Sequence, residues 1–330
     1  MTDSEYIESL RIKTGYYKIN DSLTRNHFDL YENSMKNGEI EDVNKYSDKS
    51  YLEKIAPLNY LKYIYDCFHL ETKNMYIKCE LLNLPILNLN GYAEKAPNGT
   101  PIIVIDYFLE GLLYLINHSI YSFEAIQKNT IDFEQDKIDM SEFVSKDLLS
   151  PITSFLDFYT KGGTKGLNFS EFPKKYKNLN SDVISFSRVI MLFVICHEQA
   201  HHELGHTNVN RNELIENDIQ LAIKQIKKQE LEADKLGIQL MFKCSNENSE
   251  LNLFKNIIGY KTAPLFFFKI LEFLEKEKKQ KTLLYPNASE RFENLKNIYM
   301  NYCTIEEFEG INEVLDFYYK TCFIDLKKYR

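Results

Sequence analysis

The stretch from Val189 to His206, Val-Ile-Met-Leu-Phe-Val-Ile-Cys-His-Glu-Gln-Ala-His-His-Glu-Leu-Gly-His, decides the fold. Its apolar half continues a helical spacing of hydrophobic residues that begins near Val183, and Ser181 is suited to cap the start of that helix. Gly205 occupies a position that commonly ends helices. The pattern therefore predicts one buried helix between Ser181 and Leu204.

This helix carries the motif His-Glu-X-X-His, with His197 and His201 four residues apart. Because a helix has about 3.6 residues per turn, both imidazoles project from one face and can bind a single zinc ion. Glu198 lies beside that face, where its carboxylate can take a proton from metal-activated water. The motif predicts a catalytic zinc site, with Zn2+ as the cofactor and Glu198 as the general base.

A second motif of the same form overlaps the first, beginning at His202 and ending at His206. It includes Gly205 and lies where the predicted helix ends, so its ligands would be held less rigidly. We therefore favour the first register.

The third ligand that a catalytic zinc requires is best supplied by the segment Glu230-Leu-Glu-Ala-Asp234. Glu230 and Asp234 are four residues apart on one helical face, so Glu230 can bind the metal while Asp234 accepts a hydrogen bond from a ligand histidine. We expect Glu232 to face solvent.

One geometric objection applies to this ligand set. A single straight helix over residues 212–242, packed antiparallel to the zinc helix, would place Glu230 about 27 Å from its start, too far from His201. We therefore expect a break between Asn212 and Lys228, for which Asn217-Asp218 is the only hint.

The remaining sequence predicts a fold of the α+β class that is mainly α. Leu84–Asn90 and Pro101–Asp106 have the character of strands, and Asn90-Gly91 and Pro97–Gly99 that of turns. We expect a helical or irregular N-terminal region over residues 1–80 and a catalytic domain over 81–330, with an insertion at about 121–180. The other predicted helices cover residues 51–82, 108–116, 264–279 and 289–302.

Composition restricts the partners and the compartment. The 48 acidic and 40 basic residues give a formal charge of -8, which does not attract nucleic acid. The amino terminus does not have the pattern of a signal peptide, and the longest apolar run is shorter than the ~20 residues of a membrane span. Six scattered cysteines are typical of reduced thiols. We expect a cytoplasmic protein without a membrane span; the sequence leaves its oligomeric state open.

Taken in order, four segments resemble the gluzincin metallopeptidases, and in particular the group of HtpX heat-shock proteases, CAAX prenyl proteases and Lit-type phage-exclusion peptidases. These segments are Asn90–Ala93 with Pro101–Asp106 and Gly111–Leu113, then His197–His201, Glu230–Asp234 and Pro286–Arg291. Gly91 stands where the group usually has Ala, and Tyr285 where it usually has His. The long interval before the zinc helix makes the Lit-like branch the preferred neighbour.

The resemblance implies a zincin-like catalytic domain with a small sheet beside the zinc helix. It also implies zinc ligands at His197, His201 and Glu230, a general base at Glu198, and supporting roles for the two residues Asp234 and Arg291. The biology that it implies is cleavage of an intracellular protein in phage defence or a stress response.

The sequence thus predicts a zinc-dependent endopeptidase with a protein or peptide substrate. Pro101–Asp106 is expected to hold an extended substrate by edge pairing, and Tyr285, Arg291 and His202 are candidates for stabilising the oxyanion. Two alternatives stay open: a catalytically silent zinc-containing binding or regulatory protein, and a helical interaction protein whose motifs arose by chance.

Overall fold

The computed structural model describes residues 1–14, 57–84, 86, 89–106, 108–109, 111–113, 115–117, 119–120, 177–209, 211–244, 257–278 and 284–320. Its helices are α1 (Asp3–Thr14), α2 (Pro57–Glu71), α3 (Lys177–Glu203), α4 (Arg211–Asn217), α5 (Ile219–Lys243), α6 (Ile257–Lys278), α7 (Ala288–Tyr299) and α8 (Ile305–Tyr319). The strands are β1 (Glu80–Leu84), β2 (Gly91–Lys95) and β3 (Pro101–Asp106). The predicted α+β, mainly α class is confirmed, whereas the zincin-like assignment stays a prediction.

Helix α3 lies at the centre of the fold, because every side chain from Val189 to His202 is buried. A helix that is buried all round must be covered on all sides, and α2, α5, α6, β2 and β3 pack against it. The helix begins at Lys177, so the predicted cap at Ser181 is wrong. Asn and Ser are only mildly unfavourable inside a helix, and the polar residues before Ser181 extend it.

Gln199 and Glu203 of α3 form hydrogen bonds with Tyr65 of α2 and with Ile77, which precedes β1. Tyr65 donates its hydroxyl to Gln199 Oε1 at 3.0 Å, and Gln199 Nε2 donates to the Ile77 carbonyl at 2.7 Å. Glu203 accepts the Ile77 amide at 2.7 Å. These polar bonds, of which the one between Tyr65 and Gln199 is buried, restrain the rotation of the helix about its axis and with it the direction of the two motif histidines.

The sheet has the order β1-β3-β2, with β3 parallel to β1 and antiparallel to β2. The predicted edge position of Pro101–Asp106 is therefore wrong, since that strand is central and β2 lies at an edge. A continuous apolar run such as Ile102–Ile105 is typical of a strand covered on both faces, but it does not decide the order of the strands. The predicted strand at Leu84–Asn90 is wrong at its described residues, because β1 ends at Leu84 and β2 begins at Gly91; 85, 87 and 88 lie outside the described residues.

The two faces of β3 join different cores. Ile103 and Ile105 belong to the main core, which includes the buried residues of α3. Ile102 and Val104 belong to a smaller core against which three side chains of α1 pack: Tyr6, Ile7 and Leu10. Helix α2 also contributes to the main core, through Leu61, Ile64 and Phe68. The domain division at residue 80 stays a prediction, and 121–176, most of the predicted insertion, lies outside the described residues.

The chain breaks between α4 and α5, as predicted. Asp218 has an extended backbone with φ −156°, and its Oδ1 accepts the amides of Gln220 at 2.9 Å and Leu221 at 3.1 Å. An aspartate in this conformation is a typical helix N-cap. The break allows α5 to start in a new direction and to run beside α3.

Candidate metal centre

A glycine allows α5 to pass very close to α3. A Cβ atom on Gly237 would lie 3.0 Å from Cα and 3.1 Å from N of His197, closer than carbon atoms pack. The residue lies three positions after Asp234, so the absence of its side chain lets that face of α5 meet the motif residues. Sequence reasoning missed Gly237, although its helical spacing from Asp234 was a signal that could have found it.

Three side chains from these two helices converge. His197 Nε2 and His201 Nε2 are 3.2 Å apart. Glu230 Oε2 lies 3.4 Å from His197 Nε2, and Glu230 Oε1 lies 3.6 Å from His201 Nε2. The carboxylate therefore faces both imidazoles, and all three residues are buried.

This arrangement fits a zinc ion. Zinc–ligand bonds of about 2.0–2.1 Å in a tetrahedron place the ligand atoms about 3.3 Å from one another, close to the separations found here. Two neutral imidazoles and one carboxylate are also a usual donor set for catalytic zinc. Distance alone admits Glu198 as well, since it offers an atom within 4.8 Å of both histidines. Glu230 has the shorter separations and the electrostatic setting of a permanent carboxylate.

Asp234 and Arg291 surround the outer nitrogen of His197. Asp234 Oδ1 is 3.0 Å from His197 Nδ1, and Arg291 donates to Asp234 through Nε at 2.9 Å and Nη2 at 2.6 Å. Arg291 Nη2 is 3.4 Å from Nδ1 and 3.3 Å from Nε2 of His197, and so singles out neither lone pair. An Nδ1–H bonded to Asp234 leaves the Nε2 lone pair free to bind a metal.

The charges of the three side chains decide which of them can bind a metal as they stand. Burial favours the neutral form of Glu230, but its contact with His197 and the positive charge of Arg291 outweigh burial and hold its pKa far below the ordinary value. Burial lowers the pKa of His201 well below its ordinary value. For His197, burial and Arg291 lower the pKa, while hydrogen bonds to Asp234 and Glu230 raise it more strongly, to about 9. Glu230 is thus a permanent carboxylate and His201 a neutral imidazole. The raised pKa of His197 makes it a cation near neutral pH, so this ring must give up a proton when it binds a metal.

Glu198 lies between the histidine pair and strand β2. Burial raises its pKa to about 7, against the opposing charge of His197. A Cβ on Gly91 would lie 3.0 Å from Glu198 Cγ and 3.0 Å from the Val104 carbonyl. Glycine at this first position of β2 therefore lets the edge strand pass close to the Glu198 side chain.

The second motif register has other contacts. His202 Nε2 is 3.0 Å from the Ile102 carbonyl, and its Nδ1 is 3.2 Å from the Thr207 hydroxyl. His206 Nδ1 lies 3.0 Å from His201 Nδ1. Both nitrogens of His202 thus face partners away from the three converging side chains, and His206 stands behind His201.

Arg211 and Tyr285 are two partly exposed residues whose contact with each other was not predicted. Arg211 Nη2 is 3.6 Å from Glu230 Oε1, and its Nη1 donates to the Tyr285 hydroxyl at 3.1 Å. Tyr285 is 37% exposed, the most accessible of the three oxyanion candidates. Arg211 lies just before the predicted helix of residues 212–242, and no motif marked it.

Comparison with known proteins bears on the same region. Residues 173–302 match the family model of peptidase U49. The matched part contains the cluster formed by the side chains of the site (His197, Glu198, His201, Glu230, Asp234 and Arg291) and excludes the sheet. It supports a metallopeptidase relationship and hydrolase activity on proteins. No curated protein and no solved structure matches the chain. Among the described helices, none is long and apolar enough to cross a membrane.

Proposed function

We propose that this protein is a zinc-dependent endopeptidase, with zinc held by His197, His201 and Glu230. The observation that carries the proposal is the convergence beside Glu198 of two imidazole nitrogens and one carboxylate: the nitrogens are 3.2 Å apart, and the two Glu230 oxygens lie 3.4 and 3.6 Å from them. The peptidase U49 match over residues 173–302 supports the reaction class. Zinc bound there would polarise the scissile carbonyl and lower the pKa of water.

Glu198 and Asp234 have separate roles in controlling protons. Glu198 is the proposed general base: it accepts the proton of the attacking water and returns it to the leaving amine. Asp234, itself held by Arg291, keeps the proton of His197 on Nδ1 and so directs Nε2 inward. His197 therefore keeps one tautomer through the reaction.

The donor to the oxyanion is assigned to two partly exposed residues, Tyr285 and Arg211. Arg291 is committed to Asp234, and His202 to the Ile102 carbonyl. Tyr285 accepts from Arg211 and keeps its own hydroxyl proton for donation, while the Arg211 guanidinium adds positive charge beside Glu230. We therefore assign the oxyanion to Tyr285, supported by Arg211.

The extended substrate is assigned to strand β2. Among the described strands, β2 pairs with β3 alone, so its other edge can accept a peptide by strand addition. Gly91 brings this edge against Glu198, which would put the scissile bond next to the base. This replaces the expectation that β3 serves as the edge.

The test uses a peptide library derived from a bacterial proteome, with new amino termini identified by mass spectrometry. The zinc-loaded wild type is expected to generate new termini, and Glu198→Gln to generate none while it retains zinc, since general acid–base catalysis contributes about 10²–10⁴-fold. Turnover by Glu198→Gln would refute the assigned base. Zinc binding without cleavage by the wild type would favour the catalytically silent alternative.

By its resemblance to Lit-type peptidases, we extend the proposal to cleavage of a cytoplasmic host protein in phage defence or stress. A bacterium expressing the wild type is expected to plate susceptible phages less efficiently than one expressing Glu198→Gln. Equal plating across a broad phage panel would contradict this biological role and leave the chemistry intact.

A further inference from the structure

After the end of α3 the chain turns back, so that His206 lies beside His201 of the motif. Gly205 adopts φ 71° and ψ 15°, a left-handed conformation that favours glycine, and the chain continues as a 3-10 turn over His206–Asn208. The Asn208 amide donates to the Gly205 carbonyl at 3.1 Å, and Asn208 also accepts from Lys95 of β2. The turn is held at both ends, and His206 is left only 7% exposed.

The contact between the two histidines fixes where their protons lie. His206 Nδ1 and His201 Nδ1 are 3.0 Å apart, so one nitrogen donates and the other accepts. His201 Nε2 faces His197 and Glu230, where a metal ligand needs a lone pair. The His201 proton must then be on Nδ1, with His206 Nδ1 as its acceptor.

The same reasoning extends one residue further. With its Nδ1 accepting, neutral His206 carries its proton on Nε2. This nitrogen lies 3.5 Å from Glu232 Oε2, and Glu232 is also 3.6 Å from Lys228. Glu232 is 44% exposed in its side chain, so the expectation of solvent exposure was correct only for part of the residue.

We propose that His206 is a positioning residue, which accepts the Nδ1–H of His201 and is oriented in turn by Glu232, so that His201 presents Nε2 to the metal. The inference rests on the proposed zinc site. It gives His201 the support that Asp234 gives His197, and it assigns a role to the histidine that closes the second motif register.

A pair of substitutions separates positioning from packing. His206→Asn can place a carbonyl oxygen near the former Nδ1, whereas His206→Gln keeps a polar atom near the former Nε2 and removes the acceptor for His201. Partners behind ligand histidines typically contribute 10–100-fold to metal affinity. We expect zinc to bind about 10–100-fold more weakly to His206→Gln and near wild-type strength to His206→Asn.

Two controls accompany the pair. Glu232→Gln changes a half-exposed side chain and is expected to weaken zinc binding by less than His206→Gln, without loss of folding. His69→Gln makes the same exchange at a buried histidine on α2 whose ring contacts Tyr65 and Phe68 and not His201, and it is expected to leave zinc affinity unchanged. Circular dichroism identifies any variant that does not fold.

The experiment measures zinc affinity by chelator competition and, on the zinc-free protein, the His201 tautomer by 15N NMR. The expected result is an Nδ1–H tautomer in the wild type that is lost in His206→Gln. Wild-type affinity in His206→Gln, or an Nε2–H tautomer in the wild type, would overturn the inference. A wild type that keeps the Nδ1–H tautomer but binds no zinc would refute the proposed function and leave the positioning role standing.

Discussion

Substitution of Gly237 by alanine tests whether the close passage of α5 builds the metal centre. The added Cβ would lie 3.0 Å from His197 Cα, and since carbon atoms pack at about 3.5–4.0 Å, the helices must separate by about 0.5 Å. Metal sites tolerate errors of about 0.2 Å in ligand distance. The displacement should therefore carry Glu230 out of the range in which it can complete the site.

Two energetic effects of this substitution oppose one another. Alanine in place of glycine stabilises a helix interior by about 0.8–1.0 kcal/mol. Overpacking against a rigid backbone costs about 1–3 kcal/mol. We expect the zinc-free protein to lose up to about 2 kcal/mol of unfolding free energy, and zinc affinity to fall by about tenfold or more.

Urea unfolding in the presence of EDTA measures the first effect, and chelator competition the second. Gly310→Ala makes the same exchange in α8, which supplies no residue of the cluster, and should leave zinc affinity unchanged. A Gly237→Ala protein that is about 1 kcal/mol more stable, with unaltered zinc affinity, would refute the reasoning, because helix propensity alone would then account for the result.

Three further perturbations follow from the same contacts. Asp234→Ala removes the hydrogen-bonded partner of the buried Arg291 and leaves it, among the described residues, only Glu230 as an ion-pair partner, at 3.6 Å. The change should cost about 3–5 kcal/mol in urea unfolding of the zinc-free protein, with part of the loss restored by adding Arg291→Met; no restoration would contradict the pairing. Gly91→Ala should reduce kcat/KM while zinc content stays at one equivalent, because its Cβ meets Glu198 and the Val104 carbonyl; unchanged turnover would contradict the close approach. Removal of zinc should lower the unfolding free energy by about 4 kcal/mol if free zinc had exceeded Kd a thousandfold. A melting temperature of the wild type that does not change on addition of EDTA would contradict a bound metal.

The features that sequence could predict are those with a local physical signature. His197 and His201 share a helical face because of their spacing alone. The break before α5 followed from the length of the predicted helix, with Asn217-Asp218 as its only hint. Glu230 and Asp234 followed from the same periodicity. In the structure these four side chains come together, and the role of each stays a proposal.

What sequence could not predict depends on contacts between distant segments. The central position of β3 is set by strand order, and an apolar run of this length is compatible with several orders. His206 returns to His201 only because Gly205 reverses the chain, and Arg211 reaches Glu230 across the break at Asp218 between α4 and α5. Each of these is a tertiary choice that no short motif encodes.

The most direct test of the central claim is the zinc content of the purified protein, compared with that of Glu230→Gln and Glu198→Gln. Both carboxylates flank the histidine pair, so the comparison asks which of them holds the metal. We predict one equivalent of zinc in the wild type and in Glu198→Gln, and a large loss in Glu230→Gln. No zinc in the wild type after reconstitution, or retention in Glu230→Gln with loss in Glu198→Gln, would contradict the account.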